Sequence, residues 1–184
     1  MPKQRDRVQM TATEVADMLA ANRKVQLATI NPDGYPHLVT MYYTLVDGKV
    51  AFWTYRTSQK ALNLARDPRI SCLVETGEAY FDLRGVQIQG TVETIIDPDA
   101  LYQIGLAIGN VMGNAPAGAS AAGTGAADGV VNEYVANAAR KRYGYIVEPH
   151  RVISWDHAKL LTELCHRWVF CRDGLVAWCV VPAM

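Results

Sequence analysis

The sequence predicts a small, mainly β protein, a β-barrel with flanking helices formed by one domain. Three observations predict it. Short runs rich in valine, isoleucine, threonine and tyrosine recur along the 184 residues, and turn-forming residues separate them. Few segments have the helical spacing of apolar residues that an amphipathic helix requires. Glycines inside the later strand segments are typical of the bulges and corners of a barrel.

The first third of the chain predicts one helix followed by a three-stranded meander. Thr11 and Glu14 have the spacing of a capping box, which is a start signal for a helix. Turn signals at residues 31–34 and at Asp47-Gly48 then separate three β-type runs. These runs cover residues 24–30, 35–46 and 49–55.

A short helix and further strands follow residue 55. Helical spacing over residues 60–66 predicts the helix, and Asp67-Pro68 ends it because the residue before proline avoids the helical region. Residues 69–75 alternate apolar and polar side chains, which predicts a half-buried strand. Residues 78–96 predict one or two more strands, interrupted by Gly85 and Gly90.

The last part of the domain predicts two helices and a closing pair of strands. Asp97-Pro98 opens one helix, in which three glycines spaced four apart predict close packing. A Gly/Ala-rich loop over residues 113–129 and a helix over 130–142 follow, and then strands at 143–147 and 151–155. We expect one domain over residues 1–160, and a tail over 161–184 whose structure the sequence does not define.

Composition and charge exclude several classes of partner. Eighteen basic and eighteen acidic residues balance, which gives no whole-molecule reason for a nucleic acid or anionic membrane partner. The sequence contains no apolar run of about 18 residues, so we expect no membrane span. No signal peptide is recognisable either. The four cysteines and four histidines lack metal-ligand spacing, so we expect no metal, and free thiols predict a cytoplasmic location.

Residues 52–64 contain the strongest candidate for a binding site. A strand ends at Thr54 or Tyr55, a polar loop follows, and a helix starts near Ser58. The first turn of a helix has unpaired N–H groups and a partial positive charge. Arg56 and Lys60 add full charges, so the segment predicts a phosphate site. The same residues are also consistent with an ordinary helix cap and surface charge.

Several motifs in a shared order resemble the pyridoxamine-phosphate-oxidase superfamily. Phe52-Trp53-Thr54 followed by Ser58-x-Lys60 resembles its phosphate-binding strand and loop. Residues 64–69 resemble the helix end and strand that come next, and residues 84–90 resemble a later strand that ends in glycine. Residues 151–156, with Lys159 and Leu160, resemble the closing strand of the actinobacterial deazaflavin (coenzyme F420) branch.

The resemblance implies a six-stranded split β-barrel of the FMN-binding type, a homodimer with two cofactor sites at its interface. It implies coenzyme F420 as the cofactor, with FMN as the alternative. Thr54, Arg56, Ser58 and Lys60 would hold the cofactor phosphate, and Val39, Thr40 and Met41 would line the ring system. The complete set of residues that the resemblance assigns to the cofactor is Val39, Thr40, Met41, Thr54, Arg56, Ser58, Lys60, Asn63 and Gln87.

The function implied is a deazaflavin-dependent oxidoreductase that transfers a hydride to an activated double bond or a quinone-like small molecule. Gly85 and Gln87 stand where the oxidases proper have glutamine and arginine, so we do not expect oxidation of pyridoxamine phosphate. No residue is identifiable as the proton donor; Tyr42, Tyr43 or solvent could serve. The Gly/Ala-rich segment could act as a lid.

Three alternatives stay open at this stage. The same loop suits the phosphate of FMN, which would make the chain a flavin-dependent oxidoreductase or flavin-binding protein. The protein could be a non-catalytic F420 carrier, or it could bind haem, for which no histidine or cysteine is persuasively placed. Coenzyme F420 also has an acidic tail, for which Arg23, Lys24 and Arg66 are the candidate contacts.

Overall fold

In the computed structural model of the chain, residues 4–113 and 126–161 are described. Within them, one antiparallel sheet carries helices on its flanks, which confirms the prediction of a mainly β fold. The strands are β1 (Lys24–Ile30), β2 (Pro36–Tyr42), β3 (Thr44–Val46), β4 (Lys49–Tyr55), β5 (Arg69–Thr76), β6 (Arg84–Ile95) and β7 (Arg142–Asp156). The helices are α1 (Gln4–Val8), α2 (Ala12–Ala21), α3 (Gln59–Arg66), α4 (Pro98–Gly113) and α5 (Ala126–Ala139).

The order of the strands requires the sheet to curl. Neighbouring strands follow the order β2-β1-β5-β6-β7-β4-β3, so β2 and β3 lie at opposite edges. Only Tyr43 separates these two strands in the chain. Because adjacent Cα atoms lie about 3.8 Å apart, the two edges must approach each other at this residue. The sheet is therefore a half-barrel that turns back on itself at Tyr43.

The same residue explains why the structure has seven strands instead of the six predicted. The sequence predicted one strand over residues 35–46, but this run changes its partner from β1 to β4 at Tyr43. The Tyr43 side chain is buried, and its hydroxyl donates a hydrogen bond of 2.5 Å to the carbonyl oxygen of Leu19. Its backbone N–H donates to the carbonyl of Arg23 at 3.2 Å. These bonds take the place of strand pairing at Tyr43 and divide the predicted run into β2 and β3. The predicted count of six strands is therefore wrong.

The closing part of the sheet is one long strand where two were predicted. β7 runs through Pro149 without a break and pairs with β6 along its length. Proline has no N–H group for the ladder, so it is tolerated where pairing is irregular. The register shifts between Gln89 and Gly90, opposite Pro149, and Gly90 lies directly against the carbonyl of Glu148. The surroundings of this bulge leave no room for a Cβ atom at Gly90. A glycine inside the strand pattern suggested such a close approach of the backbone.

The predicted starts of α2 and α3 are confirmed, whereas both bounds of α5 differ from the prediction. Thr11 and Glu14 form both hydrogen bonds of a capping box, and Ser58 caps α3. Helix α5 begins at Ala126, so the last four residues of the predicted loop 113–129 are helical, and it ends at Ala139 because β7 starts at Arg142. Residues 114–125 of that loop, and residues 162–184 of the predicted tail, lie outside the described residues.

The core lies on the concave side of the curled sheet. Val25, Leu27, Phe52 and Val86 have no exposed surface, and the Phe52 ring stacks on that of Tyr145 at a centroid distance of 5.3 Å. Cys72, in the alternating strand β5, belongs to this cluster, and burial raises the pKa of its thiol to about 12. The residue is therefore an apolar core residue, as its pattern indicated. In residues 4–113 and 126–161, no helix has the length and apolarity that a membrane span needs.

Candidate functional site

A groove of about 330 Å³ opens between β2, the end of β4 and helix α4. Aromatic, aliphatic and thioether side chains form most of its wall, and its charged groups are two cations with no carboxylate among the lining residues. The groove is lined by Thr40, Met41, Tyr42, Trp53, Thr54, Tyr55, Lys60, Ile108, Met112 and Arg142. Such a surface suits a flat, partly apolar ligand that carries negative charge.

The corner between β4 and α3 positions the polar end of the groove. The Thr54 and Ser58 hydroxyl oxygens lie 3.1 Å apart, within hydrogen-bond distance. Ser58 caps the helix, since its hydroxyl oxygen accepts a long hydrogen bond of 3.4 Å from the Ala61 N–H. This arrangement orients the first turn of α3, with Lys60 in it, toward the groove. The first N–H groups of the helix are those that bind anions in many proteins.

Lys60 is a partly buried cation at this end of the groove. Burial lowers the pKa of its ammonium group, since desolvation disfavours the charged form. Among the residues that the structure describes, no carboxylate pairs with it and no hydrogen-bond acceptor contacts it. A desolvated charge without a partner is costly, and such groups cluster at functional sites.

Arg142 supplies the second cation of the groove, and sequence reasoning missed it. Its guanidinium carbon lies 4.6 Å from the centre of the Trp53 ring and 4.2 Å from that of Tyr55. Tyr55 pairs with Arg142 across the β4–β7 ladder, which brings the first residue of β7 beside the end of β4. The two positions are 87 residues apart, and no local sequence signal announces that pairing.

Helix α4 supplies the remaining wall, which the sequence analysis also missed. Ile108 and Met112 line the groove one turn apart on this helix. The helix lies close to the sheet because Gly105 has no side chain; a Cβ atom there would lie 2.5 Å from the Trp53 ring. The glycine spacing predicted close packing, and Gly105 confirms it, whereas no described residue lies within 4 Å of a Cβ atom built on Gly109.

Four of the nine predicted site residues line the groove, and a fifth bonds to one of them. Thr40, Met41, Thr54 and Lys60 lie in its wall, and Ser58 contacts Thr54. The other four do not line the groove in the described chain.

Of these four, three have other surroundings in the core and the sheet. Val39 packs partly against the core. The Asn63 side chain is fully buried, donates hydrogen bonds to Thr29 and Asn31, and accepts one from Gln59. Gln87 lies in the middle of the sheet, opposite Leu73 on β5 and Ile153 on β7.

Arg56 is directed toward a different cavity. Its Nε–H donates to the Arg142 carbonyl at 3.2 Å, and its guanidinium carbon lies 4.9 Å from the centre of the Tyr143 ring. It lines the α4–α5 cavity, a space of about 420 Å³ between the start of α4 and the end of α5 that also includes Arg140. Arg56 and Lys60 are four residues apart in sequence, but they line different cavities.

The three basic residues considered for an acidic ligand tail lie in different places. The Lys24 ammonium nitrogen is 5.8 Å from the centre of the Tyr42 ring, and Tyr42 lines the groove. Arg66 donates to the carbonyl of Ile30, at the end of β1 opposite Lys24. Arg23 precedes β1, and its backbone carbonyl accepts the bond from Tyr43. Of the three, Lys24 is the one that the structure brings near the groove.

The described part of the chain contains no candidate metal site. There, no three histidine, cysteine, aspartate or glutamate side chains converge as they would around a metal ion. None of the described histidines and cysteines lines the groove. The chemistry available in the groove is therefore that of two cations, apolar surfaces and four hydroxyl-bearing side chains, those of Thr40, Tyr42, Thr54 and Tyr55.

The curled sheet, the capped corner and the cationic groove together define a split-barrel protein with a candidate site for an anionic ligand. The family described as "Pyridoxamine 5'-phosphate oxidase" matches residues 11–156. The chain therefore belongs to the pyridoxamine 5'-phosphate oxidase family, as the resemblance of its motifs indicated. None of the curated proteins gives a significant match.

Solved structures share the fold. A conserved hypothetical protein from Mycobacterium tuberculosis is 35% identical over 99% of both chains, with a TM-score of 0.72. An F420 reductase is 18% identical over 83% of this chain and 98% of its own, with a TM-score of 0.53. A FAD-binding protein from Mesorhizobium loti is 20% identical over 79% and 94%, with a TM-score of 0.56. HutZ, a haem storage protein from Vibrio cholerae, is 12% identical over 80% and 97%, with a TM-score of 0.58. At 12 to 20% identity the likeness concerns the fold alone.

Proposed function

We propose that this chain is a flavin-type oxidoreductase that binds coenzyme F420 in the groove between β2, β4 and α4. The observation that carries the proposal is the lining of the groove, where aromatic and thioether side chains surround two cations without carboxylate partners among the described residues. A flat ring with a phosphate-bearing chain has the complementary chemistry. An F420 reductase and a FAD-binding protein have this fold, so the fold is one that can hold a ligand of this class.

The residues present fit such a cofactor. Lys60 and the first turn of α3 would hold a phosphate, with the Thr54 and Ser58 hydroxyls beside it. Met41, Trp53 and the α4 side chains would exclude water from the ring. When bound, a deazaflavin or flavin supplies hydride transfer, and the protein contributes position and shielding. An activated double bond or a quinone-like molecule would be the acceptor.

Coenzyme F420 is preferred over FMN because of Lys24. This cation lies against Tyr42 at the rim of the groove, where it can meet the acidic tail that F420 has and FMN lacks. FMN remains the alternative, because its phosphate suits the same corner. Haem has less support, since no described histidine or cysteine lines the groove to act as an axial ligand.

A homodimer completes the proposal. Thr40 and Leu38 lie on the same side of β2, because side chains two residues apart in a strand point to one face. Leu38 is 65% exposed in the isolated chain, although it is a large apolar side chain. A second copy on this face would cover Leu38 and close the side of the groove that Thr40 lines.

The deciding experiment is a paired fluorescence titration of the purified full-length chain with F420 and with FMN. We expect saturable binding of F420, and binding about tenfold weaker for Lys60→Ala, as removal of one charged contact predicts. Preference for FMN would move the protein to the flavin alternative. Binding of neither cofactor would contradict the proposed oxidoreductase function, and unchanged binding by Lys60→Ala would contradict the phosphate assignment.

A further inference from the structure

We infer that Arg142 binds the ring system of the cofactor and that Lys60 binds its phosphate, so that the two cations of the groove recognise different parts of one ligand. This inference rests on the proposed function, since it concerns the same groove. It assigns a role to a residue that neither the motifs nor the phosphate corner includes.

The surroundings of Arg142 separate it from the phosphate corner. Its guanidinium lies within 5 Å of two ring centres, those of Trp53 and Tyr55, which point to one face of β4 because they are two residues apart. Lys60 lies instead in the first turn of α3, two residues after Ser58, whose hydroxyl is within hydrogen-bond distance of that of Thr54. Arg142 thus belongs to the aromatic part of the groove.

The chemistry of a guanidinium on an aromatic platform suits a ring edge. The group lies over two aromatic rings, and among the described residues it has no carboxylate partner. A planar fork of N–H donors matches carbonyl oxygens and ring nitrogens that lie in one plane. Flavin and deazaflavin rings have such an edge. A lysine could supply the charge at this place but not the planar set of donors.

A purely structural role for Arg142 is the rival explanation. In that case the guanidinium would only join β4 to β7 through its contacts with Trp53 and Tyr55. Loss of the contacts would then lower stability and could weaken every ligand alike, but it would not change the absorbance spectrum of a ligand that still binds. The test therefore compares ligands with and without a phosphate and includes a spectroscopic measurement.

The experiment is a matrix of variants and ligand pairs with the full-length chain. The ligand pairs are F420 with its phosphate-free deazaflavin core, and FMN with riboflavin. The variants are Lys60→Ala, Arg142→Gln, Arg142→Lys and, as a matched control, Arg151→Gln. Arg151 lies on the same strand as Arg142, is exposed and does not line the groove. Thermal unfolding establishes that each variant is folded. If Arg142→Gln does not fold, Arg142→Lys takes its place in the test.

We expect Arg142→Gln to weaken both members of the bound pair by about tenfold, because it removes a charged hydrogen-bond donor from the ring. Lys60→Ala should weaken only the phosphate-bearing member. Arg142→Lys should restore little, and Arg151→Gln should bind as the wild type does. At saturation, the absorbance maximum of the bound ligand should differ between Arg142→Gln and the wild type.

Two outcomes would overturn the inference, and they differ from failure of the proposed function. If the wild type binds a pair but Arg142→Gln binds the phosphate-free member equally well, Arg142 does not contact the ring. An unchanged absorbance maximum of the ligand bound to Arg142→Gln would leave the guanidinium with a structural role only. If the wild type binds neither pair, the proposed function itself fails and the inference falls with it.

Discussion

The partly buried charge of Lys60 lowers the stability of the ligand-free protein, and an anionic ligand would remove this penalty. Burial lowers the pKa of its ammonium group, so the folded state binds the proton less tightly than the unfolded state does. The resulting penalty is fully present below the folded-state pKa, and it disappears as the pH rises through that pKa toward the unfolded value. At neutral pH the charged lysine therefore destabilises the free chain.

We accordingly predict that Lys60→Met makes the ligand-free protein more stable while it weakens cofactor binding. Methionine is also unbranched, is one atom shorter than lysine and removes the charge. For a partly exposed site we expect a rise in melting temperature of only about 1–2 °C at pH 7. The rise should shrink as the pH increases toward 10.5, the ordinary pKa of a lysine side chain. A lower melting temperature for Lys60→Met at pH 7 would contradict this account of the lysine.

Asn63 shows how a predicted site residue can lie close to the groove in sequence without lining it. Asn63 lies three residues beyond Lys60, yet it points into the protein, where Thr29, Asn31 and Gln59 satisfy its amide. The family resemblance placed it near the cofactor, and the difference between the two residues comes from their partners. The Asn63 amide bonds to Thr29 on β1 and to Asn31, whereas Lys60, in the first turn of α3, lines the groove.

At the scale of elements, two glycines of α4 that look alike in sequence have opposite surroundings. A Cβ atom on Gly105 would lie 2.5 Å from the Trp53 ring and 2.8 Å from Val135, whereas one on Gly109 would meet none of the described residues within 4 Å. Alanine favours a helix over glycine by about 0.5–1 kcal/mol. That preference can be realised only at the position that has space.

We therefore predict that Gly109→Ala stabilises the protein by about 0.5–1 kcal/mol. Gly105→Ala should destabilise it by about 1–3 kcal/mol, because the helix must move away from Trp53. Denaturant unfolding of the two variants measures both values, and tryptophan emission should shift for Gly105→Ala alone. Equal stabilisation by both changes would show that α4 does not pack closely on Trp53.

The elements of the fold were largely predictable from the sequence, while their partners were not. Capping at Thr11 and Ser58 and the turn at Asp47-Gly48 depend on neighbouring residues, so local patterns identified them. The change of partner at Tyr43 depends instead on hydrogen bonds to Leu19 and Arg23, which lie 20 or more residues earlier. For the same reason, Arg142 could not be placed in the groove before the β4–β7 register was known.

At the scale of the whole molecule, the proposal depends on a second copy of the chain. Within the described residues, β2 is an edge strand that pairs only with β1, and it presents Leu38 beside Thr40 of the groove. Exposed apolar side chains on an unpaired edge strand favour association with another chain. If the cofactor site lies at a dimer interface, assembly and binding must be linked, because a ligand that binds only the dimer also stabilises it.

We predict that light scattering will give twice the chain mass for the wild type and the mass of one chain for Leu38→Glu. A charge at this position would have to be buried without a partner in the dimer, which costs several kcal/mol by the usual desolvation argument, about 2–5. Cofactor affinity should fall in the same variant, and added cofactor should shift the wild type further toward the dimer.

Ile96→Glu is the matched control, since Ile96 is similarly exposed but lies in the α4–α5 cavity. A monomeric wild type that binds its cofactor tightly would show that one chain forms the whole site, and a dimeric Leu38→Glu would place the interface on another face.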